Sequence, residues 1–224
     1  MTGGDFLSLA KMYLRHLKSH FDLFSNIYLI SNSRVSELDF ESDPNFMSWW
    51  VESISDYAYI NSDSNDKTFH LTSKCLSSFS AHFSNRKEGE GDAVTIEIRA
   101  GGTRSVSPDL VIIRCYDDSV SSKDIFDIFR MSIEFWHPSD GSASREIFYK
   151  ETQRSIGELS VGWLTYIKNP DALANVPAQF RTDRVDGGVL VKISEEIPAA
   201  GDKVIIFSIE TLKMVLQQAG IEKR

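Results

Sequence analysis

Apolar residues Phe6, Leu9, Tyr13, Leu17, Phe21 and Phe24 recur three or four positions apart, the spacing of one face of an amphipathic helix, which predicts a first helix over Asp5 to Phe24 capped by Asp5. Asn26 to Ser31 reads as a strand, and the polar, acidic stretch Ser36 to Pro44 as a loop. Phe46 to Ile54, with Trp49 and Trp50, fits a short helix after Pro44. Lys74 to Phe83 is expected to be helical, with Cys75, Phe79 and Phe83 on one side.

Beyond a charged, glycine-bearing connector, Asn85 to Asp92, the period changes. Val94, Ile96 and Ile98 alternate with Thr95, Glu97 and Arg99, so this strand has one apolar and one polar face. Leu110 to Tyr116 is apolar almost throughout and predicts a buried strand. Over Lys123 to Trp136 the residues Ile125, Phe129, Ser132 or Ile133, and Trp136 return to helical spacing, with Ser122 as the expected cap and Pro138 past the end. Glu146 to Tyr149 is expected to be a strand, as are Gly157 to Lys168 and Asp186 to Ile193, both opened by glycine and rich in β-branched and aromatic residues. The segment between them, Asn169 to Arg184, holds Pro170 and Pro177 and reads as an ordered loop. A last helix is expected from a Ser208 cap, burying Ile209, Leu212, Val215, Leu216 and Ala219, with Gly220 at its stop. The pattern as a whole predicts an α+β fold, a mainly antiparallel sheet with helices packed on it, as a single domain with a possible subdivision near residues 85–92.

Charge narrows the range of partners. Against 24 basic residues stand 32 acidic ones, a formal net charge of −8, which repels a nucleic-acid backbone and attracts basic protein surfaces. No apolar run reaches membrane-spanning length and the amino terminus lacks the features of a signal peptide, so the expectation is a cytoplasmic protein with no membrane partner. Cys75 and Cys115 are the only cysteines; two reduced, buried thiols are expected, with one disulfide as the alternative.

Reactive groups form no complete constellation in the sequence. His16 and His20 are four apart on the first helix, but Leu17 stands where a zinc-protease helix needs its glutamate, and surface histidines are the simpler reading. His70, His82 and His137 are scattered, with no evident carboxylate partner. Ser160 in Gly157-Glu158-Leu159-Ser160-Val161-Gly162 is one residue out of register with a nucleophile elbow and lies between strands. Asp109, after Pro108, opens a strand as a nuclease metal ligand would, but the following strand offers Glu146 and Phe148 instead of a carboxylate and a lysine two residues apart. Trp136 and Trp163 read as core, whereas one of Trp49 and Trp50 is available for a partner contact. No catalytic residue, cofactor or metal is expected.

From Asp92 onward the order of segments resembles a family of bacterial polymorphic-toxin immunity proteins, the group numbered fifty-two in the immunity-protein series. The residues that carry the resemblance are the strands ending near Pro108 to Tyr116, the helix closing on Trp136-His137-Pro138, the strand Gly162-Trp163-Leu164-Thr165-Tyr166, and Gly187-Gly188-Val189-Leu190-Val191 before a terminal helix. The resemblance implies a non-enzymatic inhibitor that neutralises a cognate secreted toxin, a nuclease of restriction-endonuclease fold delivered by a type VI or contact-dependent route. Asp117, Asp118, Asp140, Asp183 and Asp186, all in expected loops or turns, are the candidates for steering that partner. Two other classes stay open: a metal-dependent nuclease using Asp109 with Glu97, and an adaptor that binds some other protein.

Overall fold

The structure is a computed structural model and describes residues 3–31, 34–37, 79–86, 94–100, 109–117, 120–148 and 159–221. The expected helix at Phe46 to Ile54, Trp49, Trp50, His70, Cys75 and Asp118 lie outside the described residues. The fold class is α+β, with strands paired mainly antiparallel and helices beside them. The chain divides into two compact units, Met1–Asp109 and Leu110–Arg224.

In the first unit, helix α1 (Gly3–His20) buries Phe6, Leu7, Ala10, Tyr13, Leu14 and Leu17, a stripe at the predicted period. It closes at His20, and a short 3-10 turn, Asp22–Phe24, follows. Strands β1 (Tyr28–Ser31), β2 (Arg34–Glu37), β3 (Phe79–Ser84) and β4 (Val94–Ala100) pair antiparallel in the order β2-β1-β3-β4. Two expectations are corrected here. Ser36 and Glu37 belong to a strand instead of a loop, and Phe79 to Phe83 is a strand instead of a helix end. A spacing of four between Phe79 and Phe83 satisfies both periods, and the strand's own signature is the burial of Ala81 and Phe83 on either side of the half-buried His82.

The second unit is a three-layer arrangement. Strand β5 (Leu110–Cys115), buried along its whole length, leads through helix α2 (Ser122–Trp136) to the parallel strand β6 (Asp140–Arg145). Strand β7 (Leu164–Ile167) pairs antiparallel with β6, and the hairpin of β8 (Arg181–Val185) and β9 (Gly188–Lys192) follows, in the order β5-β6-β7-β9-β8. Register fixes the two faces. Gly141, where a β-carbon would stand 3.2 Å from the Phe129 ring of α2, lies opposite Tyr166, which stands opposite Leu190. Alternate positions Ile167, Val189 and Val191 point the other way and pack with Ile209, Leu212 and Leu216 of helix α3 (Lys203–Gln218). Helix α2 thus covers one face and α3 the other.

Four further expectations give way in this unit. The strand expected at Glu146 to Tyr149 ends instead at Arg145, and Glu146–Phe148 are helical. Asp140-Gly141-Ser142-Ala143-Ser144-Arg145 has no β-branched residue and becomes a strand because small side chains fit between two neighbours and under α2. The expected loop from Asn169 to Arg184 contains a 3-10 helix, Pro170–Asn175, and strand β8. β8 is an edge strand whose Arg181, Asp183 and Arg184 are exposed, so it shows no apolar alternation. The cap of α2 is Ser121, which accepts from the Asp124 amide, while Ser122 donates to Glu196 at 2.6 Å. The cap of helix α3 lies six residues before Ser208: Asp202 accepts from the amides of Val204 and Ile205 at 2.9 and 3.3 Å. Its first turn, Lys203-Val204-Ile205-Ile206-Phe207, is apolar on several sides at once and carries no readable period.

Candidate functional site

One set of polar groups that the second unit brings together lies at one end of its sheet, where β6 begins, β7 ends and the β8–β9 turn returns. The turn is Asp186-Gly187, with φ of 46° and 75°, the left-handed pair that suits a tight hairpin. Helix α2 ends at the same place in His137, whose φ of 47° closes the helix in the left-handed region. These two are the non-glycine residues with positive φ among the described residues, and their side chains meet. His137 Nδ1 donates to Asp186 Oδ1 at 2.9 Å, and Lys168 Nζ stands 3.8 Å from Asp186 Oδ2. Lys168 also donates to the His137 carbonyl at 3.3 Å, and the Tyr166 hydroxyl to the Asp186 carbonyl at 3.4 Å.

Burial, and then the nearby Asp186 carboxylate, raise the Tyr166 hydroxyl above the ordinary phenol range, so it stays a donor. Asp186 is only 21% exposed, whereas His137 is 60% exposed and presents the rest of its ring to solvent. The arrangement is a polar latch that ties the end of α2 to the hairpin. Its imidazole is oriented by a carboxylate, as a general base would be.

The four described acidic residues do not form one patch. Asp186 and Asp140 share this end of the sheet, Asp140 being partly buried opposite Ile167. Asp117 is partly buried just past β5, whose end lies away from the start of β6. Asp183 is exposed on the outermost strand, opposite Leu190. Asp186 is held in the latch, and Asp183 is the exposed one of the described four.

The other candidates are equally specific in their placement. Glu97 takes the Arg99 guanidinium at 3.3 Å two residues along β4, and Asp109 is partly buried ahead of β5. Among the described residues no group of three His, Cys, Asp or Glu side chains is placed to hold a metal ion. His16 and His20 are exposed and stack at 3.9 Å, with His20 Nδ1 held by the His16 carbonyl at 2.9 Å. Ser160 shares a hydrogen bond of 2.7 Å with Ser142. Cys115 is a free, buried thiol that burial pushes up to about 12, against the lowering influence of Arg145. Trp136 and Trp163 are core residues, as expected.

Sequence reasoning left His137 without a carboxylate partner. The signal was divided between two distant places: a Trp136-His137-Pro138 helix end and an Asp186-Gly187 turn, each legible by itself. The chain matches no protein-family model and no curated protein. Among the described residues, no helix is long and apolar enough to cross a membrane.

Proposed function

We propose that this chain is an immunity protein: it binds a cognate secreted antibacterial toxin, a nuclease delivered by a type VI or contact-dependent system, and neutralises it by covering its active site or nucleic-acid channel. The observation that carries this reading is that the segments resembling the immunity family are structural neighbours. Strand β5 and helix α2 form one crossover, β7 and β9 pair along their length, and α3 packs on the face that β9 presents. They act as a single folded piece, in keeping with a shared scaffold, and not as scattered short matches. The net charge of −8 supports a basic partner and speeds encounter with it. The cytoplasm is where such an inhibitor would act.

Co-expression with the secreted protein encoded beside it tests the reading. The expected result is that the neighbour kills when expressed alone, is harmless together with this chain, and co-purifies with it at one to one. A harmless neighbour, or the absence of a complex, overturns it. Incubating the purified chain with DNA and Mg²⁺ separates the enzyme class: cutting that disappears in Asp109→Ala makes the chain a nuclease and removes the inhibitor reading.

A further inference from the structure

Helix α1 closes on two histidines whose rings meet. His16 and His20 are one turn apart and both exposed, and their rings stack with centroids 3.9 Å apart and planes at 23°. The backbone holds one of the two rings. His20 Nδ1 lies 2.9 Å from the His16 carbonyl, which can only accept, so a neutral His20 carries its proton on Nδ1 and its lone pair on Nε2. Ser19 Oγ lies 2.8 Å from the same nitrogen and donates to the same carbonyl at 3.1 Å, which closes the arrangement. A carbonyl that takes the Nδ1 proton fixes both tautomer and ring for ligation through Nε2, the support that metal-binding histidines ordinarily have. The His16 ring meets His20 through its face and is otherwise open to solvent, so it can turn about its Cβ–Cγ bond and bring a nitrogen to the same point.

We infer that His16 and His20 are a chelating pair for one divalent copper ion, bound through the two imidazoles with solvent at its other positions. The donor set selects the metal. Among the described residues no third His, Cys, Asp or Glu is placed to complete a metal site, and the nearest charged residues in the chain, Arg15 and Lys18, are basic and exposed. Hard cations such as Mg²⁺ and Ca²⁺ depend on oxygen ligands and negative charge, and this pair offers neither. Imidazole suits the borderline transition metals, and copper stands highest in their order of affinity. Leu17 is in the core where a zinc-protease helix carries its glutamate, so the pair has ligands without a base to activate water. The consequence is structural. Only the helical conformation sets residues 16 and 20 on one side, so the ion clamps the last turn of α1 just before the 3-10 turn Asp22–Phe24. The inference does not depend on the proposed toxin partner.

Titrating the full chain with Cu²⁺ in a weakly coordinating buffer tests it, read by calorimetry and by electron paramagnetic resonance. One ion per chain is expected, with hyperfine coupling from two imidazoles. His16→Gln and His20→Gln should each weaken binding at least about tenfold with unchanged circular dichroism, whereas His137→Gln should bind like the parent. Ni²⁺ and Zn²⁺ should bind more weakly than Cu²⁺, and Mg²⁺ should not compete. Saturating Cu²⁺ should raise the urea midpoint of the parent and leave that of the His16→Gln, His20→Gln double variant unchanged. A double variant that takes up copper like the parent overturns the inference, because the ion is then held elsewhere on the chain. Coupling from a single imidazole overturns it too, as does one ion per two chains, which divides the ligands between molecules. Zn²⁺ bound more tightly than Cu²⁺ overturns the choice of metal, and an unchanged parental midpoint overturns the clamp.

Discussion

Asp186 shows how one side chain can serve both a turn and a latch. Its left-handed backbone is tolerated because Asp is among the few residues that visit that region at modest cost, and Gly187 follows at no steric cost. Asn shares that tolerance, so Asp186→Asn keeps the turn and removes the charge that faces His137 and Lys168. The variant is expected to lose about 1 kcal/mol of stability in urea unfolding, near the upper end for a partly exposed pair. A cycle with His137→Ala should give a coupling of about 0.5 kcal/mol or more; additivity would show the contact to be incidental. Cys115 makes a second prediction at this scale. Its folded pKa is raised, so the folded state holds a proton that the unfolded state releases once pH passes the ordinary thiol value of 9.0. The thiol's contribution is intact below that value and declines as pH rises toward about 12; Tyr166, also raised, acts with the same sign. Unfolding free energies measured from pH 8 to pH 10.5 should therefore fall, and less steeply in Cys115→Ala; an unchanged slope would show that the thiol is not buried as a neutral group.

At the scale of elements, glycines separate steric from conformational need. A β-carbon on Gly162 would stand 2.2 Å from the Ala143 carbonyl oxygen and 2.9 Å from its carbon, so β6 and the entry to β7 would have to part. Gly187, with φ of 75°, has open space around it and needs only the left-handed backbone. Gly162→Ala is expected to cost about 3 kcal/mol or more and Gly187→Ala about 1 kcal/mol, read as urea midpoints; equal losses would contradict the close approach. Gly187 was legible in the sequence beside a strand start and Gly162 only as a residue inside the expected strand Gly157 to Lys168; that Gly162 is pressed against a neighbour was not, because Ala143 belongs to a strand that the sequence did not announce. Periodicity revealed α1, β4 and α2, where one face is more deeply buried than the other, and a continuous apolar run revealed β5, which is buried throughout. It failed at β3, where a spacing of four fits helix and strand alike, at β8, where an edge is charged on both faces, and at the start of α3, where the outer face is apolar too. In the last case the departure from pattern leaves Val204 and Phe207 exposed. The latch was illegible for another reason: pairing His137 with Asp186 needs the register of β7 and β9, which brings the hairpin turn to the end of α2.

For the whole molecule, the net charge acts at a distance before any contact forms, and its effect on a basic partner is separable from the effect of individual contacts. Asp183, exposed on the edge strand, can add to that field, whereas the carboxylate of Asp186 is turned toward His137 and Lys168. Replacing Asp183 with lysine changes the formal charge from −8 to −6. With the toxin identified by co-expression, stopped-flow association at low salt should slow about twofold to threefold in Asp183→Lys and stay near parental in Asp186→Asn. Raising salt to about 1 M contracts the Debye length to about 3 Å and should bring all three rates together. Dissociation rates decide what the difference means. If Asp183→Lys slows association and leaves dissociation unchanged, Asp183 steers without touching the partner; if dissociation quickens as well, β8 lies within the interface. A rate indifferent to both salt and charge reversal would show that the acidic surface has no part in recognition, and would leave the apolar surface of the chain to account for binding.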